Sequence, residues 1–357
     1  MQLRTGFGVV VLNVWRGKNP ANGHWGIPVR ERWCLSPHQE LSPALEDKLA
    51  YFATVAGSYE MAARLACKLG IPIEDSTVRA LVQRLGARAQ EQTAQRLKAV
   101  PREIQPERPA SRLGVIMIDG FQVRHRGPDW GKPKAQKSRV EWHEQKVGVF
   151  YRQEQNAGGQ LTEKVSVSWQ GEAVQLGERL HWEALRHGLG RARQTLAVGD
   201  GAPWVWGLVE ERWPQAHQLL DFYHASQHLH GLAQVLYPEA EAPRRCWVDQ
   251  QCHDLRHGKE KKVLKAIRQL HERRRGTAGE TVRREKNYFQ THGRRMNYQQ
   301  LARRGWPIGS GPVESACAQK QGRFKRPGQF WTQKGLSHLN ALIEARDLNH
   351  WDQLWPN

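Results

Sequence analysis

The sequence contains no Cys-x-x-Cys pair. Its five cysteines, Cys34, Cys67, Cys246, Cys252 and Cys317, are odd in number and scattered. That pattern argues against a standard zinc ribbon or finger and against a disulfide framework, and it implies a reducing, cytosolic setting. No apolar run approaches the ~20 residues that a spanning helix needs, and the N-terminus lacks the apolar core of a signal peptide. Internal repeats and long low-complexity tracts are absent. Negative charge is scarce too: Asp plus Glu number 35 against 54 Lys plus Arg, a formal net charge of +19. Such an excess does not suit an ordinary metabolic enzyme and calls for a polyanionic partner. With a membrane surface disfavoured, nucleic acid is that partner, and the expected location is the cytoplasm, in association with the nucleoid.

The scarcity is sharpest near the C-terminus. From Lys286 to Ile343 there are ten Lys and Arg side chains and one acid, Glu314, which follows the turn "GSGP". Pro312 suits the first position of a helix, which would put Glu314 in the first turn. A carboxylate there stabilises the helix dipole by ~0.3–1 kcal/mol. That accounts for a Glu but not for its isolation.

Along the chain, residues 1–40 mix a strand-like run, "FGVVVLNVW", with Gly/Pro-rich text. Residues 41–99 read as helices. Ser42 is an N-cap with Pro43 behind it, Ser58 caps a second helix that stops at Gly70, and a third starts at Asp75 or Ser76 and stops at Gly86. Two short capped helices joined by a tight turn match a helix-turn-helix, whose second helix would present Thr77, Arg79 and Gln83 or Arg84 to a DNA groove. The alternative is a small helical bundle that packs or dimerises. Residues 100–111, with three prolines, form a linker.

From residue 112 the order is three strands, helix, strand, helix, strand, helices. This predicts an α/β sheet covered by helices, an order shared by ribonuclease H-like domains. Asp119 and Asp200 each close an apolar strand and precede a glycine. Asp-Gly at a strand end is also ordinary turn chemistry. Two such carboxylates on neighbouring strands, joined by one from a helix, could instead hold a pair of divalent ions suited to phosphodiester chemistry. Mg²⁺ fits oxygen ligands. Lys320, Arg323, Lys325 and Arg326 could follow a phosphate backbone, or form a solvated basic face. The His/Cys clusters "DFYHASQHLH" and Cys246 to His257 match no standard zinc spacing, and "GSG" around Ser310 lacks the spacing of a nucleophile turn.

As a set, "IDG" (118–120), "EWHEQKVGVFY" (141–151), "VGDGAPWVWGLVEERWPQAHQLLDFYH" (198–224) and "WPIGSGPVES…GRFKRPGQFWTQKG" (306–335) resemble DDE transposases of bacterial insertion sequences, of the ISKra type, related to the ISLre type and to Mutator-like elements. The resemblance covers roughly residues 41–350. It implies a ribonuclease H-like catalytic core at 112–350 with an all-helical insertion at about 225–305. By motif, Asp119, Asp200 and Glu314 match the three acids, which would bind two Mg²⁺, with Mn²⁺ as a substitute. Asp221 and His224 fall where Mutator-like relatives carry a Cys-x-x-His pair, which makes Asp221 the rival for second acid. Arg323, Lys325 and Trp331 lie in the family's basic-aromatic tail. Where relatives carry an N-terminal Cys-rich ribbon, residues 1–40 retain only Cys34.

The resemblance implies a transposase that binds terminal inverted repeats and target DNA, cuts strands and joins them, as a homodimer or larger assembly. Two other readings use the same features: a nuclease without strand joining, and a non-catalytic DNA-binding regulator.

Overall fold

The computed structural model describes residues 1–20, 23–33, 35, 39–98, 112–132, 139–153, 161–270 and 276–355. Cys34 and the expected linker at 100–111 lie outside the described residues. The chain forms two compact units. One comprises residues 1–100, 122–143 and 319–357, the other residues 101–121 and 144–318.

The first unit opens with two small hairpins, β1 (Gln2–Thr5) with β2 (Gly8–Val11) and β3 (Gly17–Lys18) with β4 (Trp25–Gly26), followed by α1 (Pro28–Arg32). Its helices are α2 (Pro43–Val55), α3 (Tyr59–Lys68) and α4 (Asp75–Lys98). As expected, Ser42 caps α2 by accepting from Leu45 N (3.3 Å), and Ser58 caps α3 by accepting from Met61 N (3.0 Å). Gly70, at φ +78°, ends the turn of α3 in a conformation that L side chains rarely adopt. Gly86 does not end α4, which continues twelve residues further to Lys98. The glycine serves packing instead. A Cβ on Gly86 would lie 2.4 Å from the backbone oxygen of His338, so its absence lets a helix from the far end of the chain approach.

The second unit is built on a five-stranded sheet in the order β7 (Leu161–Gln170), β6 (Val140–Gln153), β5 (Leu113–Arg126), β8 (Gln194–Gly199) and β9 (His217–Leu220). The part of β5 after residue 121 and the part of β6 before residue 144 belong to the first unit. β5, β8 and β9 are parallel, and β6 and β7 antiparallel. Residues 113–118 are buried, as suits a strand covered on both faces. Here the structure also corrects the sequence reading. β5 does not stop at Asp119-Gly120 but runs on to Arg126. Only its ladder with β8 stops there, at Ile118. Gly120 is small because Glu144 crosses it: a Cβ would sit 2.8 Å from the Glu144 carboxylate.

The first face of this sheet is covered by α5 (Ala173–Arg186) and α6 (Pro203–Arg212). Gly148 leaves space for Leu180 of α5, and Gly199 for Val205 of α6. After β9 come α7 (Phe222–Leu236), α8 (Glu241–Arg256), α9 (Glu260–Arg268), α10 (Thr277–His292) and α11 (Tyr298–Arg303), with no strand among the described residues. α7 packs against α8 and α10. α12 (Gly311–Phe324) and α13 (Gln333–Asp347) follow, and α13 lies along α4 in the first unit. α12 begins at Gly311, so Pro312 is its second residue rather than its first; Glu314 is in the first turn as expected.

Candidate active site

Three acids stand one residue beyond a common level of the sheet. Ile118 is in register with Gly199, and Gly199 with Leu220. The next residues along these parallel strands are Asp119, Asp200 and Asp221. Side chains alternate across a sheet. Gly148 and Gly199 look toward α5 and α6, so Asp119 and Asp200, one step past the residues on that face, emerge on the other. Neighbouring strands run ~4.8 Å apart, which puts the first two acids side by side. Burial raises the Asp119 pKa above its ordinary value, and the charge of Asp200 adds to that rise.

Each acid is oriented locally. Asp119 Oδ1 accepts from Gly120 N (2.7 Å), and its carboxylate also accepts the thiol of Cys317 from α12. Asp200 Oδ1 accepts from Ala202 N at 2.9 Å, while its backbone oxygen accepts the hydroxyl of Tyr288 from α10, also at 2.9 Å. Gly201, at φ +104°, makes room for that ring, since a Cβ there would meet Tyr288 at 2.8 Å. Asp221 caps α7 by accepting from Tyr223 N (2.8 Å).

The fourth carboxylate arrives through the "GSG" turn. Phe222 N donates to Ile308 O (3.0 Å), which ties this segment to the start of α7. Gly309 lies against Tyr223, where a Cβ would come within 2.6 Å of the ring. Ser310 then falls between two acids: its hydroxyl contacts Asp221 Oδ2 and Glu314 Oε1, the latter at 2.8 Å. One hydroxyl has one hydrogen and can serve only one carboxylate at a time. At any moment it serves either Asp221, which is buried, or Glu314, which is exposed. Burial raises the Asp221 pKa, and the neighbouring charge of Glu314 adds to it. His224, on α7, is close enough to counter both Asp119 and Asp221 electrostatically.

The fold thus gathers Asp119, Asp200, Asp221, His224 and Glu314 in the second unit. In a chain of net charge +19, none of the four carboxylates is ion-paired to a Lys or Arg among the described residues. An all-oxygen, uncompensated donor set is the kind that Mg²⁺ or Mn²⁺ takes. No group of three or more His, Cys, Asp or Glu side chains among the described residues stands in ligating arrangement. The donor chemistry fits a hard divalent cation without a preformed cage.

Sequence reasoning missed Ser310 as a partner of the acids and Cys317 as a donor to Asp119. Ser310 immediately precedes the helix that carries Glu314 and Cys317 lies on it, at i−4 and i+3, so the helical period placed both near it. Which side of that helix meets the sheet was not readable locally.

The candidate DNA-binding residues are dispersed within the first unit and at the end of α12. Thr77 is half-buried and Arg79 exposed on α4. Arg84 is committed to an ion pair with buried Glu46 of α2. Lys320, Arg323 and Trp331 are buried, at 5%, 5% and 8% exposure. Arg323 donates to Ala53 O and Gly57 O and lies between the rings of Tyr59 and Trp331. These three therefore form no solvated phosphate track; of the four basic residues expected to make one, only Lys325 and Arg326 are exposed. No helix among the described residues is long and apolar enough to cross a membrane.

No protein-family model matches the chain, and no curated protein matches it in sequence. Among solved structures, the chain is similar to the Drosophila P element transposase strand transfer complex, at 10% sequence identity and a TM-score of 0.28, over 86% of this chain and 79% of that one.

Proposed function

We propose that the chain is a DDE-type transposase whose second unit is a ribonuclease H-like core that cuts and joins DNA strands. One observation carries the reading. Three parallel strands release Asp119, Asp200 and Asp221 at one level, Glu314 comes to Asp221 through Ser310, and no Lys or Arg among the described residues is ion-paired to them. The strand order and directions support it, as does the run of helices between β9 and α12, the place of the expected insertion.

In this reading Asp119, Asp200 and Glu314 hold two divalent ions, Mg²⁺ or Mn²⁺, with Asp221 as the rival for the second ligand. Bound there, such ions supply activation of the attacking oxygen and charge stabilisation of the leaving one. The chain's own contribution is placement. Gly120 N–H and the Cys317 thiol fix the Asp119 carboxylate, and Ala202 N–H fixes that of Asp200. Ser310 keeps Asp221 and Glu314 apart yet linked. Preorganised donors of this kind need not reorganise during the reaction. The helices of the first unit, through Thr77 and Arg79, would bind the terminal repeats, and two chains would pair two DNA ends.

The test is Mg²⁺-dependent cleavage of DNA by Asp119→Asn. Loss of cleavage with retained DNA binding is expected; cleavage at the unaltered rate overturns the site. A product assay for joined strands separates a transposase from a nuclease that only hydrolyses, and binding without any cleavage in the unaltered chain would leave a regulator.

A further inference from the structure

We infer that the first unit holds a pocket for a single unpaired nucleotide of a DNA strand, with the base stacked on Trp130 and the phosphate beside Arg79 and Arg126. This rests on DNA being the partner but not on the carboxylate site.

The pocket is a cavity of about 620 Å³, within the usual size of small-ligand sites. Three helices begin at its wall. Ser58 and Tyr59 open α3, Asp75 opens α4 and Thr332 caps α13. Helix N-termini carry partial positive charge and exposed N–H groups, which favour an anion. Three guanidiniums strengthen the same field. Arg79 and Arg126 have no carboxylate partner among the described residues. Arg323 is 5% exposed, its Nη2 has no hydrogen-bond partner, and no carboxylate acts on it. Against these stand two acids at the wall: Glu60, already paired to Arg64 at 2.5 Å, and Asp75. A buried cation without a counter-ion is costly, and a phosphate in the cavity would supply the missing charge.

The aromatic side chains say what else the ligand carries. Trp130 lies 4.7 Å from Phe330, centroid to centroid, and 40% of it stays exposed. The guanidiniums of Arg126 and Arg124 cover Trp130 and Phe330 at 5.3 and 5.0 Å. The segment is held in place by β5, since Arg126 N donates to Trp331 O (2.8 Å) and Trp331 N to Arg124 O (3.1 Å). A fixed, exposed indole backed by arginines is a stacking surface for a base. Phosphate chemistry and a π-face together describe a nucleotide. A base inside a duplex has both faces covered, so the nucleotide that enters must be unpaired.

The experiment compares binding of two duplexes in EDTA, one fully paired and one carrying a single unpaired thymidine, to the full chain and to Trp130→Ala. Stacking on one aromatic side chain is worth roughly tenfold in affinity. The unaltered chain should prefer the unpaired site by about that factor, and Trp130→Ala should bring the ratio near one. In a duplex with 2-aminopurine at the unpaired position, binding should quench its fluorescence in the unaltered chain and not in Trp130→Ala. Arg79→Gln, also at an exposed position, should lower the ratio as well. Equal affinity for the two duplexes, or a ratio unchanged in Trp130→Ala, overturns the proposal. Tighter binding of free thymidine monophosphate than of the oligonucleotide would also overturn it, by making the ligand a free nucleotide. Because metal is absent, a failure of the carboxylate site leaves this ratio unaffected.

Discussion

Replacing Ser310 by alanine removes one oxygen from a position that links two of the four site carboxylates. Ser310 is 6% exposed, and its hydroxyl contacts Asp221 Oδ2 and Glu314 Oε1. A hydrogen bond to a charged acceptor contributes ~1.5–3 kcal/mol. If that energy serves to hold the two acids in their working positions, its loss slows strand cleavage by about 10- to 150-fold. The hydroxyl is not assigned to DNA, so the effect should fall on kcat and leave KM within a few-fold. The assay is cleavage of plasmid DNA at saturating Mg²⁺, with thermal melting run in parallel to measure the folded fraction. Ser310→Thr keeps the hydroxyl and should recover most of the rate. A Ser310→Ala protein that is folded and cuts at the unaltered rate refutes the reasoning. So would a loss confined to KM, since that would make Ser310 a DNA contact.

Two further outcomes concern the fold. His125 is 3% exposed, and burial first, then the nearby His143, pushes its pKa down to about 4. Its folded value lies below the unfolded ~6.5, so the unfolded chain takes up the proton first. Stability is full above about pH 6.5 and is lost as pH falls toward 4, by up to about 3 kcal/mol. His125→Gln should flatten that decline in urea denaturation followed between pH 7.5 and 4.5; identical slopes would contradict it. Gly86→Ala sets a helix-propensity gain of ~1 kcal/mol against a Cβ placed 2.4 Å from His338 O. Overpacking costs ~1–3 kcal/mol or more, and backbone yields poorly, so the melting temperature should fall. A rise would mean that α4 and α13 do not press together at Gly86.

The acids were legible because they follow apolar strand text. "VIMI" and "LAV" read as buried strands whatever packs on them, and an Asp just beyond each is visible without coordinates. Asp221 was visible for the same reason, though its standing relative to Asp200 depends on the register of β8 and β9. Ser310 and Cys317 carried no local mark of their role. A serine between two glycines and a lone cysteine on a helix become partners of Asp221 and Asp119 only when α12 meets the sheet. The basic residues misled for the converse reason. Arg323 looks like a surface cation in the sequence, yet it is buried between two aromatic rings, while Arg84 is exposed but paired with buried Glu46. Long cationic side chains bury their stems readily, and charge alone does not tell which of them will.

The amino-acid sequence by itself determined what acts within a few residues: the Ser42 and Ser58 caps, the turn at Gly70, the apolar strands, the acids that follow them and the charge of +19. Caps, turns and alternation work through the backbone of the same segment, so they are written where they act. Tertiary structure alone decided that α4 passes through Gly86, that β5 outruns Asp119, that Glu314 meets Asp221 through Ser310, and that helix starts at Tyr59, Asp75 and Gln333 face one cavity. Each of those depends on which distant segment arrives to fill space or to accept a hydrogen bond. Burial and pairing are properties of the assembled chain, and no local pattern encodes them.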